Sequence, residues 1–309
     1  MKKKILLAVD DSIHSADAIK YAVRMSLPVK DVSYTLFHVQ PTISQYLLDK
    51  ALTDFKAEAE LKKAMEKNAE KAHRMLEKYK NRIVRMGISE ERIDVVTAPK
   101  AVGLTKDILL YAERGLYDAI VAGRRGLSRI QKTFMGSISA KLLAHSMVVP
   151  VWMVDGDVKS TRIMVAVDGS ETSLRMVDYV NLMVAGNPDI KLTLFHVMPE
   201  PMEYIPFRFP KDASDLRQII AQGEKRHIQD FCEDALQKFK DAGIKDDQIH
   251  VKIIKPARNT AKAITREAAK GNYGTVVIGR RGLDKAFFLG SVAKHVLDKI
   301  SGRALWLVS

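Results

Sequence analysis

The sequence has one cysteine, Cys232, so no disulfide can form within the chain, and a disulfide-stapled secreted scaffold is excluded. No apolar run reaches the roughly 18 residues that a membrane-spanning helix needs. Behind Met1-Lys2-Lys3-Lys4 only Ile5 to Val9 are apolar before Asp10 and Asp11, which is too short for the core of a signal peptide. These absences predict a soluble chain of a reducing compartment, most simply the cytoplasm. Aromatic residues are sparse (7%), no Cys/His cluster or HExxH stretch is present, and no Ser/His/Asp order or nucleophile elbow can be read. The excess of positive charge is not gathered into a tail or block. The formal net charge of +13 divides as +7 over residues 1–158 and +6 over the remainder. Much of it lies between Lys56 and Arg85, interleaved with Glu58, Glu66, Glu70 and Glu77, as on a solvated helix face. With no nucleic-acid motif and no aromatics on a basic sheet, a nucleic-acid partner is not expected.

What is present is a duplication. Lys4-Ile-Leu-Leu-Ala-Val-Asp10 matches Arg162-Ile-Met-Val-Ala-Val-Asp168, and Tyr34-Thr-Leu-Phe-His-Val-Gln-Pro41 matches Leu192-Thr-Leu-Phe-His-Val-Met-Pro199, both at an offset of 158. Gly123-Arg-Arg-Gly-Leu127 returns as Gly279-Arg-Arg-Gly-Leu283 at 156, and Val151-Trp-Met-Val154 as Leu305-Trp-Leu-Val308 at 154. The spacing places one domain at 1–156 and a second at 160–309, joined by a short polar linker around Asp155–Ser160.

Within each copy short apolar runs alternate with helical patterns. Strands are expected near 4–9, 33–39, 92–97, 118–123 and 149–154, then 161–167, 191–197, 249–254, 274–279 and 304–308. Helices are expected near 12–26, 54–85, 103–114 and 136–146, with counterparts in the second half; Ser170 is a candidate N-cap, and Gly87 and Gly243 are candidate residues just past long helices. Strands apolar at nearly every position, alternating with helices, predict an α/β fold: five mostly parallel strands per domain with helices on both faces. Ligands of such sheets bind at the carboxyl ends of the strands beside the switch point, where Asp10, Val39 and Gly123 all fall. The two terminal strands, 149–154 and 304–308, are expected to pair and cover each other's edges, an intramolecular pseudo-dimer of the domains, with a homodimer as a further assembly.

After the fourth strand, Gly123-Arg-Arg-Gly126 is followed, after nine intervening residues, by Gly136-Ser137-Ile-Ser139. Glycines permit close backbone approach, and a helix opening at Gly136-Ser137 would offer free N–H groups to phosphate. The bland alternative is two ordinary turns around a helix start. It is neither a Walker A loop nor a GxGxxG dinucleotide loop.

In these matched positions the chain resembles the universal stress protein family in its tandem form, over essentially its whole length. The family's ATP-binding members carry Gly-x2-Gly-x9-Gly-Ser/Thr, which residues 123–137 fit, an Asp ending the first strand (Asp10 and Asp168), and an apolar residue ending the second (Val39 and Val197). The resemblance implies two Rossmann-like domains of the adenine nucleotide alpha hydrolase-like kind and an adenine nucleotide, ATP, accompanied by Mg2+. It implies that Asp10, with Ala8 and Val9, holds the adenine or ribose side, that Val39 contacts adenine, that Ala122 and Gly123 line the ribose–phosphate path, and that Gly126, Gly136, Ser137 and Ile138 surround the phosphates. Arg124 and Arg125 are not fixed by that pattern. A second site would use Asp168, Val197, Gly279, Gly282, Gly290 and Ser291, but only seven residues separate Gly282 from Gly290, so the first half is the expected nucleotide site.

The function expected is that of a nucleotide-binding stress-response or regulatory protein, not an enzyme, with at most slow ATP hydrolysis. Two alternatives stand beside it. An adenylate-chemistry enzyme would need a phosphate loop after the first strand, which Val9-Asp10-Asp11-Ser12 matches poorly. A non-nucleotide module would hold an apolar ligand or protein partner, for which the proline- and aromatic-rich stretch Pro199–Pro210 is a candidate groove or lid. His38 and His196, at equivalent strand ends, and Cys232, within a helical stretch, are read as structural.

Overall fold

The structure is a computed structural model that describes residues 2–124, 141–143, 145–146, 148–198, 214–257, 259–280 and 290–309. The expectations placed on Arg125, Gly126, Gly136, Ser137, Ile138, Gly282 and the stretch 199–210 lie outside the described residues. The chain forms two compact units, the first comprising Met1–Leu27 and Asp31–Gly156, the second Pro28–Lys30 and Asp157–Ser309.

In the first unit the described elements run β1 (Lys3–Ala8), α1 (Ile13–Ser26), β2 (Val32–Val39), α2 (Gln45–Ala51), α3 (Phe55–Arg85), β3 (Ile93–Ala98), α4 (Leu104–Arg114), β4 (Ala119–Gly123) and β5 (Val151–Val154). The strands pair in the order β3-β2-β1-β4-β5, and every pairing is parallel. The chain therefore winds outward from β1 through β2 to β3, then crosses back to β4 on the other side. That crossing makes the gap beyond β1 and β4 the switch point. The register puts Ala8 directly beside Ala122 there, and Val39 beside Ala98.

Side chains of β2 alternate between the two covered faces, as strand geometry requires. Tyr34 reaches the Ser26 hydroxyl of α1 at 2.6 Å on one face. On the other, the Phe37 ring stacks on Tyr111 of α4 at 4.3 Å between centroids, and Thr35 accepts from the Tyr117 hydroxyl at 2.8 Å. The core is the sheet itself: Ile5, Leu6, Leu7, Leu36 and Ile120 are buried, and each such side chain contributes about 1.5–3 kcal/mol on leaving water. Trp152 on β5 is buried with Tyr21 of α1 edge-on to it, 6.2 Å away.

The second unit repeats the plan with β6 (Arg162–Ala166), α5 (Glu171–Val184), β7 (Lys191–Val197), α6 (Ser214–Asp241), β8 (Ile249–Ile254), α7 (Thr260–Lys270), β9 (Thr275–Gly279), α8 (Ser291–Lys299) and β10 (Ala304–Val308). Its order is β8-β7-β6-β9-β10, again parallel in every pairing, and Tyr179 meets Trp306 edge-on at 6.1 Å. Capping follows the sequence: Ser170 accepts from the Ser173 amide, and Gly87 and Gly243 take φ of +99° and +82° just beyond α3 and α6. Asp54 caps α3 by accepting from the amides of Lys56 and Ala57, while Ala72, Leu76, Tyr79 and Ile83 form its buried stripe. The one described α-helix of the first unit that sequence patterning does not foresee is α2, none of whose residues is buried. No helix among the described residues is long and apolar enough to cross a membrane.

Candidate functional site

The β1 end turns sharply into α1, and three side chains lock that turn. The Asp10 carboxylate Oδ1 accepts from the Ser15 hydroxyl at 2.7 Å and from the Ser12 hydroxyl. The Asp10 amide donates to Ser15 Oγ at 2.9 Å, and the Ser15 amide donates to Ser12 Oγ, the N-cap of α1. From α3, the Tyr79 hydroxyl lies within donating distance of the carbonyls of Asp10 (3.1 Å) and Ser12 (3.2 Å). Burial, reinforced by the charges of Asp11 and Asp10, raises the pKa of that phenol, so it stays a donor. Asp11 itself is exposed.

The peptide before Asp10 is held from β2. The Val9 amide donates to the Phe37 carbonyl, and His38 Nδ1 lies 2.8 Å from the Val9 carbonyl. A carbonyl can only accept, so His38 Nδ1 is the donor in this bond. On the other flank, β4 ends in Ala122 and Gly123. A β-carbon at Gly123 would sit 2.4 Å from the His14 carbonyl oxygen, so only glycine lets β4 run this close to the first turn of α1. Arg124 follows, buried, its amide donating to the Val154 carbonyl.

Ala8, Val9, Asp10, Ala122 and Gly123 are thus gathered at the switch point, and Val39 ends the neighbouring strand β2. Side chains are small at Ala8, Ala122 and Gly123 and buried at Val9 and Val39, so the strand ends present backbone edges and one fixed carboxylate. Such a surface suits a flat, polar-edged ligand held by backbone contacts.

The second unit repeats the lock with altered parts. Asp168 Oδ1 accepts from the Ser173 hydroxyl (2.7 Å) and the Ser170 amide (3.0 Å), the Asp168 amide donates to Ser173 Oγ, and His196 Nδ1 lies 2.8 Å from the Val167 carbonyl. Burial lowers the His196 pKa, with His227 adding to the effect while the Val167 carbonyl, Asp168 and Glu224 oppose it. Gly169, where the first unit has Asp11, has φ of +81°, and the His227 ring of α6 packs on it: an added β-carbon would meet Nε2 at 2.7 Å. Val197 ends β7 beside Ile254 and Gly279 ends β9. Gly290 is the N-cap of α8, which Ser291 opens, and its amide donates to the Arg280 carbonyl at 3.0 Å.

Both strand-end histidines therefore act as ties on the backbone. Cys232 is buried, and burial pushes its thiol up to about 11, as an inert residue requires. Sequence reasoning misses Ser15, Ser173, Tyr79 and His227. For the serines a signal exists, since Asp10-x-Ser12-x-x-Ser15 returns as Asp168-x-Ser170-x-x-Ser173. Tyr79 and His227 have no such signal, because the equivalent positions, offset by 156, hold Ala235 and Lys71.

Comparison with known proteins agrees with this architecture. A universal stress protein from Archaeoglobus fulgidus superposes with a TM-score of 0.66 at 21% identity, covering 99% of this chain and 98% of that one. A protein of Pseudomonas aeruginosa PAO1 described as functionally unknown gives 0.63 at 17% identity, with 99% and 92% covered. At these identities the likeness is one of fold. No curated protein matches the sequence significantly. The family profile described as the universal stress protein family matches twice, over residues 1–155 and 159–302. With the same fold built twice and both copies matched along nearly their whole length, the chain belongs to the universal stress protein family in tandem form.

Proposed function

We propose that the first unit binds an adenine nucleotide, ATP in the first instance, and that occupancy biases the conformation or partner choice of a stress-response regulator. The observation that carries this reading is the switch point. Ala8 lies beside Ala122 with Gly123 next to it, so the strand ends are open to close approach, while Asp10 is held rigid by Ser12 and Ser15. Adenine would lie against Val9 and Val39 and the ribose beside Asp10 and Gly123. The phosphates would run toward Gly126, Gly136, Ser137 and Ile138, whose spacing fits the family's ATP-binding pattern. Mg2+ would travel with the polyphosphate, and hydrolysis would be at most slow, so the protein is read as a binder and not a catalyst. Domain limits of 1–156 and 160–309 and a cytoplasmic setting belong to the same proposal.

The second unit is proposed to bind poorly. Its loop between Gly282 and Gly290 is two residues shorter, and His227 packs on Gly169 beside Asp168. The experiment is calorimetric titration of the full chain with ATP. One tight site is expected. Gly136→Val should reduce affinity strongly with the chain still folded, because a β-branched side chain would block phosphate at the helix start expected from the sequence. Absence of saturable ATP binding, or unaltered binding by folded Gly136→Val, overturns the assignment.

A further inference from the structure

The first unit holds a cavity of about 760 Å3 on the α4 face of its sheet. That face is opposite the one carrying α1: Phe37 of β2 stacks on Tyr111 of α4, whereas Tyr34, of the other parity along the strand, points to Ser26 of α1. The cavity is therefore on the other face of the sheet from the lock around Asp10, although Lys141 of its lining follows Ile138 of the proposed phosphate loop by three residues.

Its apolar lining comes from Val102, Leu104, Leu109 and Leu110. Lys100, Lys106 and Lys141 stand around it, against Glu113 as the acid of the lining. The rim is built in advance of any ligand, because Asp107 folds back to accept from the amides of Ala101, Val102 and Gly103 at 3.0–3.3 Å. Val102, in the middle of that stapled rim, is left 63% exposed, an apolar side chain held at the mouth.

The duplication supplies a control within the molecule. Helix α7 occupies the place of α4 in the second unit, and the residues that hold each helix to its sheet are kept: Ile108 and Ala112 correspond to Ile264 and Ala268, all buried. The residues that line the cavity are not kept. Leu104, Leu109 and Leu110 correspond to Thr260, Thr265 and Arg266. The fold is thus satisfied without leucine at these positions: Leu109 is buried beside Ile108 and Ala112, whereas Leu104 and Leu110 are only partly buried, and their aliphatic side chains are not required to pack the helix on its sheet.

From the aliphatic lining, the excess of ammonium groups and the divergence between copies, we infer that this cavity binds an aliphatic carboxylate, with the chain laid along Leu104, Leu109 and Leu110 and the anionic head among Lys100, Lys106 and Lys141. Burying methylenes drives the association, and the lysines select the sign of the head group. A cavity of this size lies within the range of small-molecule sites.

The test uses the full-length chain and sodium decanoate, below the concentration at which it forms micelles. Saturable binding of one decanoate per chain is expected, with decylammonium and decanol at least about tenfold weaker, a discrimination of ~1.4 kcal/mol that facing lysines can supply. The double substitution Leu104→Thr/Leu110→Arg changes two partly buried positions to the residues that the equivalent helix already carries, so the helix is expected to remain folded by circular dichroism. It should lose decanoate binding by at least about tenfold while ATP titration is unchanged. Lys106→Glu should weaken decanoate and narrow its advantage over decylammonium. The inference is overturned if decanoate does not saturate, if decylammonium binds as well, if the folded double variant retains full affinity, or if the surface takes up an acidic peptide in preference to decanoate. Loss of ATP binding alone, with decanoate binding intact, would count against the nucleotide reading and leave this one standing.

Discussion

His38 holds the carbonyl of Val9 at 2.8 Å, tying the end of β2 to the last peptide before Asp10. His196 makes the same bond to Val167 at the same 2.8 Å. A tie that recurs at both strand ends, each immediately before the aspartate of the turn, positions the aspartate through the backbone. His38→Phe keeps an aromatic ring but removes the donor. It should cost ~1 kcal/mol of stability for the lost hydrogen bond. It should also weaken ATP binding, because the Val9–Asp10 peptide is freed. Denaturant titration and calorimetry on the same variant check both; a stability loss with unaltered affinity would confine His38 to a structural role.

The pH dependence follows from His196. Its pKa in the folded chain lies below the ordinary 6.5, chiefly through burial. The unfolded chain therefore takes up a proton near pH 6.5 that the folded chain still refuses. Stability is fully present above about pH 6.5 and is lost as the pH falls from there toward the lower folded value. Denaturant midpoints recorded between roughly pH 7.5 and 5 should fall. They should fall less steeply in His196→Gln, which cannot titrate.

Gly123 is a steric requirement. Gly123→Ala would place a β-carbon 2.4 Å from the His14 carbonyl oxygen and 2.5 Å from its carbonyl carbon, both backbone atoms that move only with α1. An overpacking cost of about 1–3 kcal/mol is expected. Thermal unfolding would measure it, and a midpoint equal to the parent's would show that α1 shifts freely.

Cys232 should be unreactive in the native chain. It is buried and its thiol is raised to about 11, so the nucleophilic thiolate is scarce at neutral pH. A thiol-reactive chromophore at pH 7.5 should label the chain only as fast as it unfolds. Rapid stoichiometric labelling of folded protein would contradict the burial.

Much of this fold is legible in the amino-acid sequence, for an identifiable physical reason. Strands covered on both faces must be apolar throughout, and Ile5–Leu7 and Ile163–Val165 carry that signature at identical places in the repeat. Caps and chain reversals are equally plain at Ser170, Gly87 and Gly243, because few residues suit those backbone positions. Helix α2 escapes notice because none of its residues is buried, so it imprints no periodic apolar stripe. In the candidate site, Asp10, Val39 and Gly123 are legible from their place at strand ends. Tyr79 and His227 are not, since each reaches the turn from a long helix across dozens of residues, and neither recurs in the other copy. The divergent lining of α4 is visible in the sequence, but only the structure shows that Leu104, Leu109 and Leu110 face one cavity.

The contact between His227 and Gly169 also bears on how interchangeable the halves are as modules. Grafting the Asp10-Asp11-Ser12 turn into the second half would place an aspartate at 169, where the backbone is left-handed at φ +81° and His227 Nε2 stands 2.7 Å from the new β-carbon. The graft would also lack its support, because Tyr79 has no counterpart at Ala235. Recombination that evened out the two copies would have to exchange the turn and the long helix together. The halves are thus parts fitted to their own helices, and a working graft would carry each turn together with the helix that packs on it.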